Sequence, residues 1–306
     1  MPYEHGPEES ARRMPSWMRR PVAVPGRAHE VESLLDGLKL ATVCRSAKCP
    51  NRGECYASGT ATFLIMGDRC TRGCRFCAVE TDRPGPLDPD EPRRLAEAAR
   101  VMGLAHVVVT AVTRDDLADG GASHFAAVVA ALREALPEAR VEVLTSDFAG
   151  DLTAVDTVAD ARPDVFNHNV ETVPRLYPEV RPAADYARSL SVLARVRDAH
   201  PGVPTKSGLM LGLGETMAEV VEVLHDLRRV GVDIVTIGQY LRPSHRHLPV
   251  ARFAEPSEYD EYAAAARQLG FTAAACAPFV RSSYHAAEMA ECASAANPGA
   301  PADAAR

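Results

Sequence analysis

The sequence of 306 residues has no run of 18 apolar residues, the length a membrane-spanning helix needs. Residues 1 to 30 also lack the apolar stretch of a secretory signal. Together these absences predict a cytoplasmic protein that does not engage a membrane. Basic charge is in the minority, with 34 Lys and Arg against 41 Asp and Glu and a net charge of -7. That balance excludes a broad electrostatic grip on nucleic acid phosphates and leaves room only for a local basic patch. The opening segment carries Arg12, Arg13, Arg19 and Arg20, but Glu4, Glu8, Glu9 and five prolines before residue 26 argue against a mitochondrial transit peptide. A solvated tail is the simpler reading.

What is present is ordinary globular composition, 46% hydrophobic and 25% charged. A single fold of this length hides about 75% of its unfolded surface, so it needs no disulfide staples. The 8 cysteines of a chain without a secretion signal are therefore expected as reduced thiols with metal or catalytic roles. Six of them fall between residues 44 and 77 in two triplets: Cys44, Cys49, Cys55 (C-x4-C-x5-C) and Cys70, Cys74, Cys77 (C-x3-C-x2-C). Cys276 and Cys292 stand apart.

From residue 60, short β-rich apolar runs alternate with helical patterns. The strands read as Thr62 to Met66, His106 to Val112, Val141 to Thr145, Asp164 to His168, Lys206 to Leu211 and Asp233 to Gly238. The helices read as Pro92 to Met102, Ser123 to Leu136, Leu152 to Ala161, Asp185 to Ala199, Met217 to Arg229 and Ser257 to Leu269. Asp90 and Pro92 mark a helix start, and Gly103, Gly231 and Gly270 sit where helices stop. Six right-handed βα units predict an α/β fold that curls into a (β/α)6 partial TIM barrel, with a flat doubly wound sheet as the alternative. Three segments follow: an N-terminal extension over 1–59 with the first triplet, the barrel over 60–270, and a C-terminal extension over 271–306. The last of these ends in a tail, ASAANPGAPADAAR from residue 293, expected to be disordered. In either architecture the reactive groups belong at the carboxyl ends of the strands, where the loops converge.

Thiolates select zinc, copper(I) or iron-sulfur clusters. Structural zinc usually takes paired C-x2-C knuckles, and neither triplet supplies a second pair, so a zinc module would have to draw on both. The string CTRGCRFC (70–77), with Phe76 as the aromatic, follows the first strand and resembles the signature of the radical S-adenosylmethionine superfamily. That likeness implies a [4Fe-4S] cluster on Cys70, Cys74 and Cys77, with one iron open to the amino and carboxylate groups of S-adenosylmethionine. VCRSAKCPNRGEC (43–55), RDDLADGGA (114–122), DVFNHNVETV (164–173), PTKSGLMLGLGET (204–216), TIGQYLRPSHRHLPV (236–250) and FVRSSYHA (279–286) resemble the lipoyl synthase family, from about Cys44 to Ala286. This resemblance implies a second [4Fe-4S] cluster on Cys44, Cys49 and Cys55 with Ser283 as its fourth ligand. From spacing alone Cys276, seven residues earlier, is the competing ligand, since hard alkoxide suits cluster iron less well than thiolate does. Cys276 and Cys292 otherwise read as a small buried hydrophobe and an exposed thiol.

Further cofactor contacts are expected at the strand ends. The superfamily's usual Gly-Gly-Glu is Gly-Gly-Ala here, so a carboxylate facing the methionine amino group must come from Asp115, Asp116 or Asp119; a solvated loop is the competing reading. Asn167, Asn169 and Glu171 suit a ribose or a sulfonium. Lys206, Ser207 and Arg281 are candidate carboxylate or cluster-edge contacts, although buried ion pairs would look the same. Arg242, His245, Arg246 and His247, with Arg175 and Arg181, form basic stretches that could dock an acidic carrier.

The implied activity is insertion of two sulfur atoms at C6 and C8 of an octanoyl group on a lipoyl carrier domain. The implied partners are the 2-oxoacid dehydrogenase E2 subunits and the glycine cleavage H protein, a reduced flavodoxin or ferredoxin type electron donor, and a cluster-repair carrier. Another radical enzyme with an auxiliary cluster and a non-enzymatic iron-sulfur electron carrier are the competing readings.

Overall fold

A computed structural model of the chain describes residues 14–18 and 27–296. Arg12, Arg13, Arg19 and Arg20 and the tail beyond 296 lie outside the described residues. The N-terminal extension folds as short pieces: α1 (Ala28–Gly37), β1 (Ala41–Thr42), α2 (Val43–Ser46) and α3 (Arg52–Ala57). Next come β2 (Thr62–Ile65) and a loop holding a small two-stranded pair, β3 (Arg69–Cys70) and β4 (Glu80–Thr81). The repeating part comprises α4 (Glu91–Met102), β5 (His106–Ala111), α5 (Ala122–Ala135), β6 (Arg140–Leu144), α6 (Leu152–Asp160) and β7 (Val165–Asn167), then α7 (Tyr177–Val180), α8 (Tyr186–Ala199), β8 (Thr205–Leu211), α9 (Met217–Arg229), β9 (Ile234–Gln239) and α10 (Pro256–Gln268). β10 (Ala273–Cys276) and α11 (Ala286–Ala296) complete the described chain.

The main sheet runs β1-β2-β5-β6-β7-β8-β9-β10, antiparallel only at β1 and parallel from β2 to β10. Sequential order in a parallel sheet puts every helix on one face and curls the sheet into an open barrel. Strands enclosed on both faces should read as continuous apolar runs, and β2 and β9 are buried at every position. Local signals fix the helices. Pro92 opens α4, Gly103 closes it at φ 69, Asp151 and Asp185 cap α6 and α8, and Thr216 with Glu219 forms a capping box on α9.

The six strands and six helices read from sequence are all present, each within two residues of its expected ends. β10 is an addition. It lies in the segment assigned to the C-terminal extension, pairs in parallel with β9, and carries the sequence AAAC, which has none of the β-branched residues that signal a strand. α11 is a second addition, and it reaches Ala296, so the segment from 293 begins as helix. Its Met289, Ala290 and Ala293 pack on Val165 and Ile234, the first residues of β7 and β9. The C-terminal helix therefore plugs the end of the barrel opposite the strand carboxyl ends. Among the described residues, no helix is long and apolar enough to cross a membrane.

Candidate active site

A cavity of about 460 Å³ opens at the carboxyl ends of the strands, a size common for small-molecule sites. Both triplets reach it: Cys44 and Cys49 from the N-terminal extension, and Cys70, Cys74 and Cys77 from the loop after β2. Cys55 is half-buried in α3, outside the wall, with its thiol within electrostatic reach of Cys44 and Cys49. Among the described residues, no three His, Cys, Asp or Glu side chains gather as ligands of a single metal ion. The thiols are spread around a space instead.

The first triplet is built on two small helices, of which α2 is capped by a side chain. The Thr42 side chain accepts from Arg45 N and shares a hydrogen bond with the Tyr56 hydroxyl at 2.6 Å, which joins α2 to α3. Burial raises the Cys44 thiol, opposed by hydrogen bonds from Thr62, and burial pushes Cys55 up to about 12. Such thiols stay protonated until a metal replaces the proton.

The second triplet hangs on buried charge. Arg72, between Cys70 and Cys74, donates to Asp115 at 2.7 and 2.8 Å and pairs with Asp147 at 2.7 Å. Asp147 is fully buried, and although burial alone would raise its carboxyl, Arg72 and His168 hold it below the ordinary range. Cys70 Sγ accepts from the backbone N–H groups of Arg72 and Thr113 at 3.4 and 3.3 Å. The carbonyl of Cys77 accepts from His247 at 2.9 Å, with Nε2 as the donor in the matching tautomer. Burial raises Cys74, opposed by Arg181 and Arg72, and pushes Cys77 up to about 12.

A third part of the chain crosses the mouth. Gly238 lets it approach, because a Cβ there would collide with the carbonyl of Val280. The segment is fastened at Phe279, whose carbonyl accepts from Asn51 at 2.8 Å, and at Tyr284, whose hydroxyl donates to Glu54 at 2.9 Å. Between these, Ser282 Oγ accepts from Asn169 at 2.6 Å and Ser283 Oγ accepts from Thr62 at 2.8 Å. Ser283 thus stands on the cavity wall with Cys44 and Cys49. Cys276 sits in β10 outside the wall, with burial pushing its thiol up to about 12, and Cys292 is exposed on α11.

Of the expected contacts, Phe76, Asn169, Glu171 and Arg281 line the cavity. Glu171 takes a left-handed φ of 65, held by backbone hydrogen bonds to Gly208 and Met210 at 2.9 Å each, and burial raises its carboxyl. The others are engaged elsewhere. Asp115 faces Arg72, Asp116 pairs with Arg114 at 2.8 Å, and Asp119 caps α5 by accepting from Gly121 and Ser123. Lys206 and Asn167 point into the barrel, where both donate to Glu142, at 2.9 and 3.1 Å. Arg175 is bound to Glu219 at 2.6 Å, and Arg181 is buried, so these two do not form the surface patch expected of them. Arg242 lies on the cavity wall, donating to the carbonyls of His245 and His247, and Arg246 is exposed.

Sequence reasoning missed Thr62, Arg72, Thr145, Asp147, His168 and Ser282. The placement of Arg72 between two cysteines of one triplet was the available signal. Four lining residues hold buried polar atoms without a protein partner, namely Thr145 Oγ1, His168 Nε2, Asn169 Oδ1 and Arg181 Nε. Buried polar groups are normally satisfied, so these hydrogen-bond donors and acceptors, beside soft thiols, fit a polar cofactor next to a metal-sulfur group.

The Radical SAM superfamily profile matches residues 64–227. A lipoyl synthase of Caldanaerobacter subterraneus subsp. tengcongensis is 56% identical over 274 residues, covering 90% of this chain and 96% of that protein. The chain belongs to the lipoyl synthase family of radical S-adenosylmethionine enzymes. Lipoyl synthases of Rubrobacter xylanophilus and Methylococcus capsulatus match at 54% and 56% identity, covering 90% and 91% of this chain and 86% and 87% of theirs. Among solved structures, Streptococcus suis SuiB bound to S-adenosylmethionine aligns at a TM-score of 0.56 and 11% identity, covering 70% of this chain and 49% of that one. HydG, a maturase of the [FeFe]-hydrogenase, aligns at 0.55 and 16%, covering 79% and 64%. This chain spans about half the length of SuiB, and both likenesses carry the fold alone. Family membership makes this an iron-sulfur transferase of lipoate biosynthesis that uses a [4Fe-4S] cluster and S-adenosylmethionine.

Proposed function

We propose that this enzyme inserts two sulfur atoms, at C6 and C8 of an octanoyl group held on a lysine of a lipoyl carrier domain. The observation that carries this reading is the convergence of Cys44, Cys49, Cys70, Cys74, Cys77 and Ser283 on one cavity, with Cys55 close behind its wall. Cys70, Cys74 and Cys77 would hold one [4Fe-4S] cluster, and Cys44, Cys49, Cys55 and Ser283 the other. When bound, the first cluster with S-adenosylmethionine supplies a radical able to take hydrogen from unactivated carbon, and the second supplies sulfide.

The chain's own residues do the placing. Phe76, Asn169 and Glu171 face the cofactor, and the buried cation of Arg181 suits a carboxylate. Asp115, in this reading, acts through Arg72 to steady the thiolate loop. Asp116, Asn167 and Lys206 support the surrounding structure. Leu64, Val79, Leu144, Met210 and Leu241 give the same cavity an apolar lining that suits an octanoyl chain and keeps out water. Arg242 and Arg246 would meet the acidic carrier, a 2-oxoacid dehydrogenase E2 subunit or the glycine cleavage H protein. A cytoplasmic location, a reduced flavodoxin or ferredoxin type donor and a cluster-repair carrier complete the reading by resemblance.

The test is anaerobic reconstitution with iron and sulfide, followed by an octanoylated carrier peptide and mass analysis. Two sulfur atoms per octanoyl group, drawn from sulfide labelled within the protein, are expected. Cofactor cleavage without label transfer would favour a radical enzyme whose second cluster only binds or relays. Two clusters with no cofactor cleavage under strong reductant would favour an electron carrier.

A further inference from the structure

Ser283 sits in a turn after the last strand, and a serine hydroxyl on a turn has little of its own to aim it. The neighbour that does so is Thr62, the first residue of β2, which is only 6% exposed. Its hydroxyl donates to Ser283 Oγ at 2.8 Å. Its hydroxyl and backbone N–H also lie within hydrogen-bonding reach of Cys44 Sγ. Threonine is β-branched and stiff at χ1, so in a strand its oxygen is held where a longer or unbranched side chain would wander. Thr60, two residues earlier, turns its hydroxyl to Cys55, donating to that residue's carbonyl at 3.0 Å. The two threonines of Gly59-Thr60-Ala61-Thr62 thus set one hydroxyl beside each of two first-triplet cysteines, and only Thr62 also reaches Ser283.

We propose that Thr62 is a positioning residue for the second metal centre, holding the Ser283 oxygen beside Cys44 so that it serves as the fourth ligand. The proposal rests on the reading of Ser283 as that ligand and adds the residue that makes a weak ligand usable.

The experiment compares Thr62→Val, Thr62→Ser, Ser283→Ala and the Thr62→Val/Ser283→Ala double variant as full-length reconstituted protein. The readouts are iron loss to a chelator, the electron paramagnetic resonance spectrum of the reduced clusters, and melting temperature. Valine keeps the shape and removes the hydroxyl, while serine keeps the hydroxyl and loses a methyl. Thr62→Val is expected to lose iron about tenfold faster with an altered spectrum, the usual scale of a hydrogen bond to a charged acceptor. Thr62→Ser, which keeps the hydroxyl but loses the branch that aims it, should fall between the parent and Thr62→Val. The valine effect should vanish in the Ser283→Ala background, because the two residues act through one contact. A packing role reverses the order, with serine worse than valine, and would overturn the proposal, as would iron retention in Thr62→Val equal to the parent. If Ser283→Ala itself retains iron and spectrum unchanged, the ligand reading fails and the proposal falls with it. If only Thr62→Val is silent, the ligand reading stands alone.

Discussion

The two cysteine triplets share a cavity but are held by different physics. Cys70, Cys74 and Cys77 sit on a loop anchored by a buried guanidinium between two carboxylates and by backbone donors to a thiol. Cys44 and Cys55 sit on two short helices with Cys49 in the loop between them, joined by a neutral hydrogen bond and fastened by two more hydrogen bonds to a C-terminal segment that crosses the mouth. Removing one partner from a buried ion pair exposes an uncompensated charge, whereas a neutral hydrogen bond is worth about 1 kcal/mol. The barrel therefore holds one triplet by buried charge and the other by lighter hydrogen bonds, a contrast that suits the proposed roles of a radical centre and a sulfide donor.

The comparison breaks most sharply at the thiols. Cys74→Ala is expected to abolish both cofactor cleavage and sulfur addition, and Cys44→Ala to keep cleavage and add no sulfur, measured by 5'-deoxyadenosine release and product mass. Equal loss of both activities in the two variants would show that the triplets are not separate in function. The anchors come next. Asp147→Asn should destabilise the fold by about 3–5 kcal/mol in denaturant melts and lower the iron bound by the second triplet. Lys206→Met, which breaks the pair with Glu142 deeper in the barrel, should cost a similar amount while leaving cofactor affinity as in the parent. A large fall in affinity would return Lys206 to the site.

The alternation of strands and helices was legible because enclosed parallel strands and capped helices each leave a periodic mark. β10 left none, since Ala273, Ala274 and Ala275 earn their place by pairing with β9 rather than by propensity. The cysteines were legible by spacing, but their meeting was not. Asn51 and Phe279 are 228 positions apart, and nothing in either stretch names the other. Depth was also hidden. Asn167 and Asn169 share a face by the period of a strand, yet Asn167 reaches Glu142 inside the barrel and Asn169 reaches Ser282 at the mouth. Pattern identifies the inward face, and only packing decides which layer a side chain occupies.

A smaller difference lies in how the side held by buried charge answers acid. Burial, with Arg181 next, lowers His168 to about 4, against an ordinary 6.5, and its Nδ1 faces the Thr145 carbonyl at 2.9 Å. Between those values the unfolded chain holds the proton that the folded chain refuses, so stability rises with pH there and falls as pH drops from 6.5 towards 4. His168→Gln should flatten that part of the melting profile, and an unchanged slope would assign the loss to other groups.

The gentlest break is at the clasp. Asn51 Nδ2 donates to the Phe279 carbonyl, one end of the segment that carries Ser283. Asn51→Ala leaves both triplets and Ser283 in place and removes one neutral hydrogen bond, so global stability should fall by only about 1 kcal/mol. The local effect should be larger than the global one, because Asn51 holds one end of the segment that crosses the mouth. Amide exchange at residues 279–284 is expected to quicken in Asn51→Ala while exchange in the loop over 70–77 stays as in the parent. If both segments loosened together, the two sites would be one cooperative unit, and the contrast between a firm centre and a clasped one would have to be given up.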